Sequence, residues 1–247
     1  MDTVIANTDW RPRAAGLTAQ LVTQRVLNDP VWASAFAAIP RHLFTPRVVA
    51  DDGAVLYAGQ REWLEAVYSD AALLTQTAPA GDGEQELPTS SSSRPAVMAV
   101  MLEALDTRSG HRVLEVGTGT GYNTALLCQR LGEGNICSVD IHPGLIAQAR
   151  EHLAEIGCHP CLSTGNGANG WAEHAPFDRI LATCAITQIP PEWIRQLADG
   201  GRIVAPLDAG TSGPLLVLDK TAPDEVTGYI HPYPAWFMPL REHTDNP

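Results

Sequence analysis

The sequence predicts an α/β fold in which a mainly parallel, Rossmann-like sheet ends in an antiparallel edge. From Arg112 onward, short apolar runs alternate with amphipathic stretches, and the first apolar run leads into a glycine-rich turn. A third observation is Asp140, an acid that ends the second apolar run about 20 residues beyond the turn. In a doubly wound sheet this order places a cofactor at the turn, with the acid beside its ribose.

The apolar runs predict five parallel strands, at residues 113–116, 136–139, 161–164, 177–182 and 202–206. Helices are expected between them, at 122–130, at 145–156 and from Pro190, where proline suits the first turn of a helix. The pattern then changes. Residues 215–218 and 228–238 predict an antiparallel pair of strands that closes one edge of the sheet.

Before Arg112 the sequence predicts an N-terminal helical cap. Residues 17–27 and 31–38 space their apolar side chains as packed helices do, whereas the glycines and acids of residues 78–88 predict a polar loop. No internal repeat or linker is evident. We therefore expect a single domain over residues 1–247, with the cap and a substrate-side loop in 1–92, the Rossmann-like core in 93–241 and a tail in 242–247.

The spacing of the glycine turn narrows the choice of ligand. In a dinucleotide-binding fingerprint the third glycine follows the second by three positions, where this chain has Tyr122. A phosphate-binding P-loop needs a Gly-Lys-Ser/Thr ending, and the one lysine of the chain is Lys220, far downstream. The turn from Gly117 to Gly121 therefore favours a nucleotide-type ligand without a pyrophosphate.

Asp140 has two interpretations. It is placed to accept hydrogen bonds from the two hydroxyls of a cofactor ribose. Alternatively it only caps the helix that begins near Pro143, because Asp before a helix is a common cap. The order of strand, glycine turn, helix, strand and acid favours the ribose role.

Composition restricts the partners. The chain has 247 residues and a formal net charge of −12, which argues against a protein that follows a nucleic-acid backbone, since such proteins rely on clustered Lys and Arg. The first 13 residues lack the apolar stretch of a signal peptide, and no apolar run is long enough to span a bilayer. We therefore expect a soluble, cytoplasmic protein without a nucleic-acid or membrane partner; the sequence leaves the oligomeric state open.

The five cysteines suit a reducing compartment. Cys158-His159-Pro160-Cys161 has the spacing of a redox motif, but it lies between a predicted helix and strand and not at the start of a helix, where thiolates are activated. We expect a structural role. No second Cys/His pair at suitable spacing is evident, so no metal site is expected.

Several segments occur in an order that is specific where any single one is not. They are residues 38–46 (Ala-Ile-Pro-Arg-His-Leu-Phe-Thr-Pro), 68–70 (Tyr-Ser-Asp), 93–95 (Ser-Arg-Pro), 112–122 with its Glu-x-Gly-x-Gly-x-Gly pattern, Asp140, 165–167, 177–185, 189–190 and 237–240 (Phe-Met-Pro-Leu). The glycine pattern resembles the first motif of the S-adenosylmethionine-dependent methyltransferases. The whole set, over about residues 14–241, resembles the protein L-isoaspartate O-methyltransferase family.

The resemblance implies S-adenosylmethionine as the cofactor and S-adenosylhomocysteine as its product. It implies that Ser93 is the catalytic residue, beside the reacting carboxylate. The residues that it assigns to the cofactor are Ser92, Glu115, Gly117, Thr118, Gly119, Gly121, Tyr122, Asp140, Asn166 and Gly167. Those that it assigns to the substrate are Thr89, Ser90, Ser91, Leu240 and Arg241, the last two in a terminal segment that folds back over the pocket.

The serine run at residues 90–93 also has two interpretations. Serine runs are usually flexible linkers. Here, however, Arg94-Pro95 opens an apolar helical pattern that continues to Leu105. A serine just before a helix offers its hydroxyl and nearby N–H groups to an anion, so we expect a site for a carboxylate.

The expected chemistry needs few catalytic groups. An aspartyl or isoaspartyl carboxylate has a reference pKa of about 4 and is already an ionised nucleophile near neutral pH. The protein mainly has to hold oxygen, methyl carbon and sulfur in line and exclude water. The lack of a conspicuous His-Asp or paired-carboxylate constellation therefore agrees with the resemblance.

Departures from the family pattern bear on the substrate, which the resemblance makes a peptide or protein that carries Asp or isoAsp. The aliphatic residue before the active serine is Ser92 here, a polar insertion at 78–88 precedes it, and the family's Gly-Asp-Gly step is Gly165-Asn166-Gly167. The Thr-Ser-Ser-Ser-Ser run resembles a branch that accompanies ribosomally made, modified peptides. That branch implies methylation of an ordinary aspartate in a constrained peptide, followed by closure to a succinimide (aspartimide).

Peptide maturation is therefore the leading hypothesis at this stage. Its first alternative is housekeeping repair of isoaspartate in damaged proteins. A small-molecule methyltransferase and a catalytically silent cofactor-binding scaffold are the others, and the intact glycine turn, Asp140 and Ser93 weigh against the scaffold.

Overall fold

The computed structural model describes residues 10–49, 53–80, 85–210 and 213–242. The chain forms two compact units, with the boundary between Ala99 and Val100. This boundary falls within helix α4, which spans Pro95–Ala104.

The N-terminal unit contains a helix near each of the two predicted positions, although the first spans Trp10–Thr23 and not residues 17–27, and it has a short third helix that was not predicted. The helices are α1 (Trp10–Thr23), α2 (Pro30–Ala38) and the short α3 (Arg61–Val67), with a 3₁₀ turn at Arg41–Phe44. Helix α2 begins where the sequence provides both start signals, because the Asp29 carboxylate accepts from the Val31 N–H at 2.8 Å and Pro30 takes the first helical position.

The same unit also contains a sheet that was not predicted. Its strands are β1 (Arg47–Val49), β2 (Val55–Tyr57), β3 (Leu73–Ala80) and β4 (Gln85–Ser92), antiparallel in the order β2-β1-β3-β4. The polar loop predicted at 78–88 is therefore wrong in its described part, where Ala78 pairs with Leu87. The glycines and acids that indicated a loop lie mostly at 81–84, outside the described residues.

The C-terminal unit confirms the predicted α/β fold. Its seven strands are β5 (Val113–Val116), β6 (Ile136–Asp140), β7 (Cys161–Thr164), β8 (Phe177–Ala182), β9 (Leu197–Pro206), β10 (Leu215–Ala222) and β11 (Glu225–His231). Their order is β11-β10-β9-β8-β5-β6-β7, in which β9 through β7 are parallel and β10 and β11 form the antiparallel edge. Strand β11 ends at His231, short of the predicted residue 238, because Pro232 and Pro234 cannot donate to a ladder.

Helices α5 (Tyr122–Leu131), α6 (Pro143–Glu155) and α7 (Pro191–Gln196) connect the parallel strands. Phe177, Ile180, Trp193 and Ile203 are fully buried in one continuous core with the faces of β5 and β6. Burial of each such side chain contributes about 1.5–3 kcal/mol. No helix within the described ranges is long and apolar enough to cross a bilayer.

The strand order fixes where a ligand can bind. The chain leaves β5 toward β6 on one side, and it returns to β8 on the other side of β5. A crevice forms at such a reversal, at the carboxyl ends of the two strands. Residues 117–121, which follow β5, and residues 183–185, which follow β8, therefore border this crevice.

Candidate active site

All three glycines of the turn after β5 have a positive φ, with φ +52° at Gly119. Gly117 has φ +98° and Gly121 has φ +89°, values that side chains rarely allow. A Cβ on Gly117 would lie 2.5 Å from the Thr183 hydroxyl, and one on Gly121 would lie 3.1 Å from the Cβ of Ala149. The turn is therefore pressed against β8 on one side and α6 on the other.

Four N–H groups of the turn donate to acceptors within the protein. The N–H groups of Gly117 and Thr118 both donate to the Val139 carbonyl, at 2.8 and 3.3 Å, and that of Gly121 donates to the Thr118 carbonyl at 2.9 Å. The Gly119 N–H donates to Asp140 Oδ2 at 2.8 Å. A phosphate-binding loop directs such donors at its ligand, so this geometry agrees with a ligand that has no pyrophosphate.

Asp140 ends β6 with its side chain 8% exposed. Besides the bond from Gly119, its Oδ1 accepts from the His142 N–H at 3.0 Å. The cap of α6 is the His142 ring, whose Nδ1 accepts from Gly144, so the interpretation of Asp140 as a helix cap is wrong. Each carboxylate oxygen can accept two hydrogen bonds, which leaves Asp140 capacity for two more donors.

Glu115, expected at the cofactor, is fully buried beneath the turn. Asn123 Nδ2 donates to its Oε1 at 2.7 Å, Ser138 Oγ donates to its Oε2 at 2.6 Å, and the Thr124 hydroxyl donates to Oε2 as well. Burial raises the pKa of the Glu115 carboxyl above its usual value, although these three hydrogen bonds oppose the rise. The side chain thereby ties β5 to β6 and to the first turn of α5.

Sequence reasoning did not identify these three donors. The signal that was available is the pair Asn123-Thr124, two polar residues directly before the apolar run at residues 125–128 of α5. The Thr118 hydroxyl joins the same network through Ser138, at 2.7 Å. Thr118 and Tyr122, both expected at the cofactor, have buried side chains.

Asn166 and Gly167 follow β7 at the same carboxyl edge of the sheet. Asn166 Oδ1 accepts from the Ala168 N–H at 2.9 Å and so starts a short 3₁₀ turn. A Cβ on Gly167 would collide with the side chain of Val116 and would lie 3.3 Å from Leu240. Only glycine allows this close approach.

Leu240 and Arg241 belong to the terminal segment, which runs along the carboxyl edge. The Ala185 N–H donates to the Met238 carbonyl at 2.8 Å, and the Leu240 N–H donates to the Ala185 carbonyl at 2.7 Å. Leu240 therefore reaches Gly167, and the structure brings together the turn, Asp140, residues 166–167 and this segment.

Two residues that follow β8 were not identified from the sequence as site residues. The Thr183 hydroxyl contacts the Gly117 carbonyl at 2.5 Å and the Val116 carbonyl at 3.2 Å, which fixes the start of the turn. Burial raises the pKa of the Cys184 thiol to about 12, an effect that Asp140 increases and Arg241 reduces. Cys184 therefore stays protonated near neutral pH and is a poor nucleophile.

The serine run lies in the N-terminal unit, on β4 and just beyond it. Ser91 pairs with Leu74 and Ser92 with Leu73 of β3, so the interpretation as a flexible linker is wrong. Because side chains alternate along a strand, Ser90 and Ser92 are buried, at 2% and 3% exposure, whereas Thr89, Ser91 and Ser93 are half-buried. Thr75 donates to the Ser90 hydroxyl at 3.1 Å.

Arg41 holds the end of this strand from inside the unit. Its guanidinium, in a fully buried residue, donates to the carbonyls of Val67, Ser69, Ala71 and Ser93 at 2.8–3.2 Å. It also donates to the Ser92 hydroxyl at 3.4 Å. The Pro-Arg-x-x-Phe segment thus supplies a buried cation that fixes the backbone on which Ser93 sits.

The start of α4 is already bound by a carboxylate. Asp70 Oδ1 accepts from the Ala96 N–H at 2.8 Å, and Asp70 Oδ2 accepts from Arg94 at 2.8 and 3.0 Å. One helix N–H that we expected to be available to a substrate anion is therefore engaged by Asp70. The Ser93 hydroxyl remains the group to which the carboxylate expectation applies.

Comparison with known proteins agrees with these features. The family model for protein-L-isoaspartate(D-aspartate) O-methyltransferase matches residues 13–244. A protein-L-isoaspartate O-methyltransferase of Anaeromyxobacter dehalogenans (strain 2CP-C) is 47% identical over 150 residues, which are 60% of this chain and 71% of the relative. A protein-L-isoaspartate O-methyltransferase of Stenotrophomonas maltophilia (strain R551-3) is 33% identical over 233 residues, 91% of each chain.

Solved structures agree as well. One protein-L-isoaspartate O-methyltransferase is 28% identical with a TM-score of 0.74; the match covers 92% of this chain and 65% of that one. A putative protein-L-isoaspartate O-methyltransferase from Plasmodium falciparum, in complex with S-adenosyl-L-homocysteine, has a TM-score of 0.69 at 15% identity, which supports the fold alone; the match covers 93% of this chain and 98% of that one. The chain is thus an S-adenosylmethionine-dependent methyltransferase that belongs to the protein-L-isoaspartate(D-aspartate) O-methyltransferase family.

Proposed function

We propose that this protein methylates the side-chain carboxylate of isoaspartyl residues in damaged proteins, as a repair methyltransferase. The observation that carries the proposal is the family match over residues 13–244, which includes every candidate site residue from Thr89 to Arg241. Relatives that align with nearly the whole chain carry the same enzyme name. Housekeeping repair therefore replaces peptide maturation as the first candidate.

We assign the cofactor to the carboxyl edge of the parallel sheet. Bound S-adenosylmethionine supplies a methyl group that its own sulfonium activates. Asp140 has the capacity to accept both ribose hydroxyls while it keeps its bonds from Gly119 and His142. Gly117 lets the turn pack against the residue that follows β8, since a Cβ there would collide with the Thr183 hydroxyl.

The other residues of this edge complete the assignment. Asn166 and Gly167 border the adenine, and Asn166 can contact it through its amide nitrogen, its backbone or the second lone pair of Oδ1, which already accepts from Ala168. Glu115, Thr118 and Tyr122 act on the shape of the turn from below, since their side chains are buried. Leu240 and Arg241 border the substrate side in the terminal segment.

The substrate supplies the nucleophile. A carboxylate with a pKa of about 4 is ionised near neutral pH and needs no general base. Ser93 is the residue that we assign to this carboxylate, with its hydroxyl as the donor. Arg41, through the Ser93 carbonyl, positions that serine and does not touch the substrate.

Peptide maturation remains the second candidate because of the Thr-Ser-Ser-Ser-Ser run at residues 89–93. Its most distinctive member is Ser92, where the family has an aliphatic residue. Ser92 is buried, as an aliphatic residue would be, and its hydroxyl accepts from Arg41. Burial and the hydrogen bond from Arg41 therefore account for a serine at this position, and Ser92 gives less support to a specialised peptide substrate.

The substrate comparison tests the proposal directly. Purified protein is given S-adenosylmethionine and three substrates: a linear isoaspartyl peptide, its aspartyl counterpart, and a conformationally constrained aspartyl peptide. Mass spectrometry follows the methyl ester and its loss as methanol. We expect the isoaspartyl peptide to be methylated at least about 100-fold faster than either aspartyl peptide. A misplaced carboxylate would lose its hydrogen-bond partner in the site, and a loss of this kind gives discrimination of at least this size.

Each other outcome has a separate meaning. Preference for the constrained aspartyl peptide, with a final mass one water below the start, would replace repair by peptide maturation. Binding of S-adenosylhomocysteine without methylation of any of the three peptides would reject both and favour a silent scaffold or a small-molecule enzyme.

A further inference from the structure

Three side chains with metal-binding atoms meet near the amino ends of the parallel strands, whereas the candidate cofactor residues lie at the carboxyl ends. Cys137 near the start of β6 is the register partner of Cys161 at the start of β7, so the two thiols lie on one face of neighbouring strands. His174 joins them from a 3₁₀ turn before β8. The ligand atoms of all three lie within 4.8 Å of one another.

The segment that carries His174 is fastened to α7. The Trp171 N–H donates to Gln196 Oε1 at 2.7 Å, and Gln196 Nε2 donates to the Asn169 carbonyl at 2.8 Å. Trp171 also contacts the His174 ring edge-on, with ring centroids 4.4 Å apart. The imidazole is therefore held near the thiols by a packed loop and not by a free tail.

We propose that Cys137, Cys161 and His174 form a binding site for a thiophilic divalent ion, with Zn²⁺ as its natural occupant. Two thiolates and an imidazole are ligands that zinc prefers. Metal–ligand lengths of about 2.0–2.3 Å bring the ligand atoms to about 3.5–4 Å from one another. The ligand atoms are now up to 4.8 Å apart, and rotation of the half-buried Cys161 and His174 side chains would bring them to this distance.

The site is structural and not catalytic. Cys137 and Cys161 lie at the amino ends of their strands, whereas Asp140 and residues 166–167 lie beyond the carboxyl ends. Half-buried Cys161 and His174 leave a fourth position for water. A bound ion would cross-link β6, β7 and the β7–β8 loop, and it would stabilise the folded C-terminal unit by an amount that grows with the logarithm of the ion concentration above the dissociation constant.

Binding must release protons. Burial raises the pKa of the Cys137 thiol to about 12, so this thiol keeps its proton near neutral pH until an ion displaces it. Each thiol that becomes a ligand forms one metal–sulfur bond and loses one proton to solvent. Affinity is therefore expected to rise with pH.

The test uses the reduced, metal-free full chain and titrates it with Co²⁺ and with Zn²⁺ against a chromogenic chelator. We expect one ion per chain, a thiolate-to-cobalt charge-transfer band and proton release in weak buffer. Cys161→Ser and His174→Ala should each weaken binding about 10–100-fold or more, and Cys161→Ser should also reduce the band. Cys158→Ser is the matched control, because Cys158 shares the Cys-His-Pro-Cys segment but is a free cysteine whose thiol is hydrogen-bonded to that of Cys128.

Several results would overturn the proposal. One is the absence of stoichiometric binding, and another is binding that Cys158→Ser abolishes while Cys161→Ser and His174→Ala leave it intact. Affinity for S-adenosylhomocysteine and the far-ultraviolet circular dichroism spectrum report folding of each variant independently. If Cys161→Ser misfolds, His174→Ala and His174→Asn carry the test from the loop, and unchanged affinity in both would reject the site.

Discussion

Each unit holds a segment of candidate site residues in place with one fully buried ionisable residue, but the hydrogen-bonding groups around the two residues differ. In the N-terminal unit, Arg41 donates to four backbone carbonyls and a hydroxyl around the end of β4. In the C-terminal unit, Glu115 accepts from two hydroxyls and an amide beneath the glycine turn. Arginine remains charged at any ordinary pH, whereas a buried carboxyl can take up a proton.

Arg41 is therefore an anchor with a fixed charge, whereas Glu115 is an anchor whose charge depends on pH. The Arg41 acceptors are main-chain carbonyls, which cannot change their character if the cation is lost. The Glu115 donors include two hydroxyls, which can rotate and accept instead. Loss of charge at Arg41 should therefore be far more damaging than loss of charge at Glu115.

The largest effect is expected for Arg41→Met, which removes the cation but keeps much of the side-chain volume. The variant leaves up to four carbonyls without this buried donor, and we expect a loss of about 3–5 kcal/mol in the free energy of unfolding. Urea denaturation measures it. Arg47→Met is the matched control, because among the described residues Arg47 has one hydrogen-bond acceptor, the Thr75 carbonyl, and loss of that bond should cost at most about 1.5 kcal/mol. Equal losses in the two variants would contradict the anchor role of Arg41.

Ser93, which Arg41 holds by its carbonyl, is expected to affect rate and not fold. Ser93→Ala should slow methyl transfer about 10²-fold while affinity for S-adenosylhomocysteine stays near the parent value, since one positioned donor is lost. Single-turnover kinetics with an isoaspartyl peptide, together with calorimetry, separate the two quantities. Ser34→Ala, an exposed serine on α2, is the control. A rate within a small factor of the parent would remove Ser93 from the reaction.

The pattern of successful predictions follows from how local each signal is. Strands β5, β7 and β8 have the predicted bounds because each is a short segment with Gly or Pro next to at least one of its ends, a signal that needs no partner strand to be recognised. The sheet of the N-terminal unit was missed because β1 and β2 have three residues each and β3 and β4 are rich in Thr, Ser and Gln, so no apolar alternation marks them.

The candidate site residues likewise divide into those with a local sequence signal and those without one. Glycine at 117 and 121 and the acid at 140 are readable from spacing, since the constraint acts on the backbone. Glu115, Ser90 and Ser92 match the motif too, but burial decides what their side chains do, and burial comes from residues distant in the sequence. Cys137 and His174 meet Cys161 only through strand register and a loop fastened to α7. No local pattern shows that meeting.

Asp140→Ala tests the carboxylate that accepts from the glycine turn above Glu115. It removes the acceptor that we assign to the ribose hydroxyls, and it frees the N–H groups of Gly119 and His142. We expect affinity for S-adenosylhomocysteine to fall by about 1–3 kcal/mol, measured by calorimetry. Asp178→Ala is the control, because Asp178 likewise accepts from a backbone N–H, that of Arg112, at the other end of the sheet. It should lose stability without losing affinity.

The smallest effect is expected for Glu115→Gln, which removes the titratable charge and keeps the shape. The amide oxygen can accept from Asn123, and the hydroxyls of Thr124 and Ser138 can rotate to accept from the amide nitrogen, so the loss near neutral pH should be at most about 1 kcal/mol. Because burial raises the pKa of Glu115 in the folded state, the native protein binds more protons than the unfolded chain above the ordinary value of 4.5. This carboxyl therefore lowers stability as pH rises from 4.5 through its folded-state pKa.

Glu115→Gln should abolish that part of the pH dependence, so the variant approaches or exceeds the parent protein in stability at the upper end of the window. Denaturation midpoints at a series of pH values, with exposed Glu133→Gln as the control, measure the difference. The contrary result is a stability curve parallel to that of the parent at every pH. It would mean that Glu115 keeps one protonation state throughout, and that the turn is held by a fixed anchor just as β4 is held by Arg41.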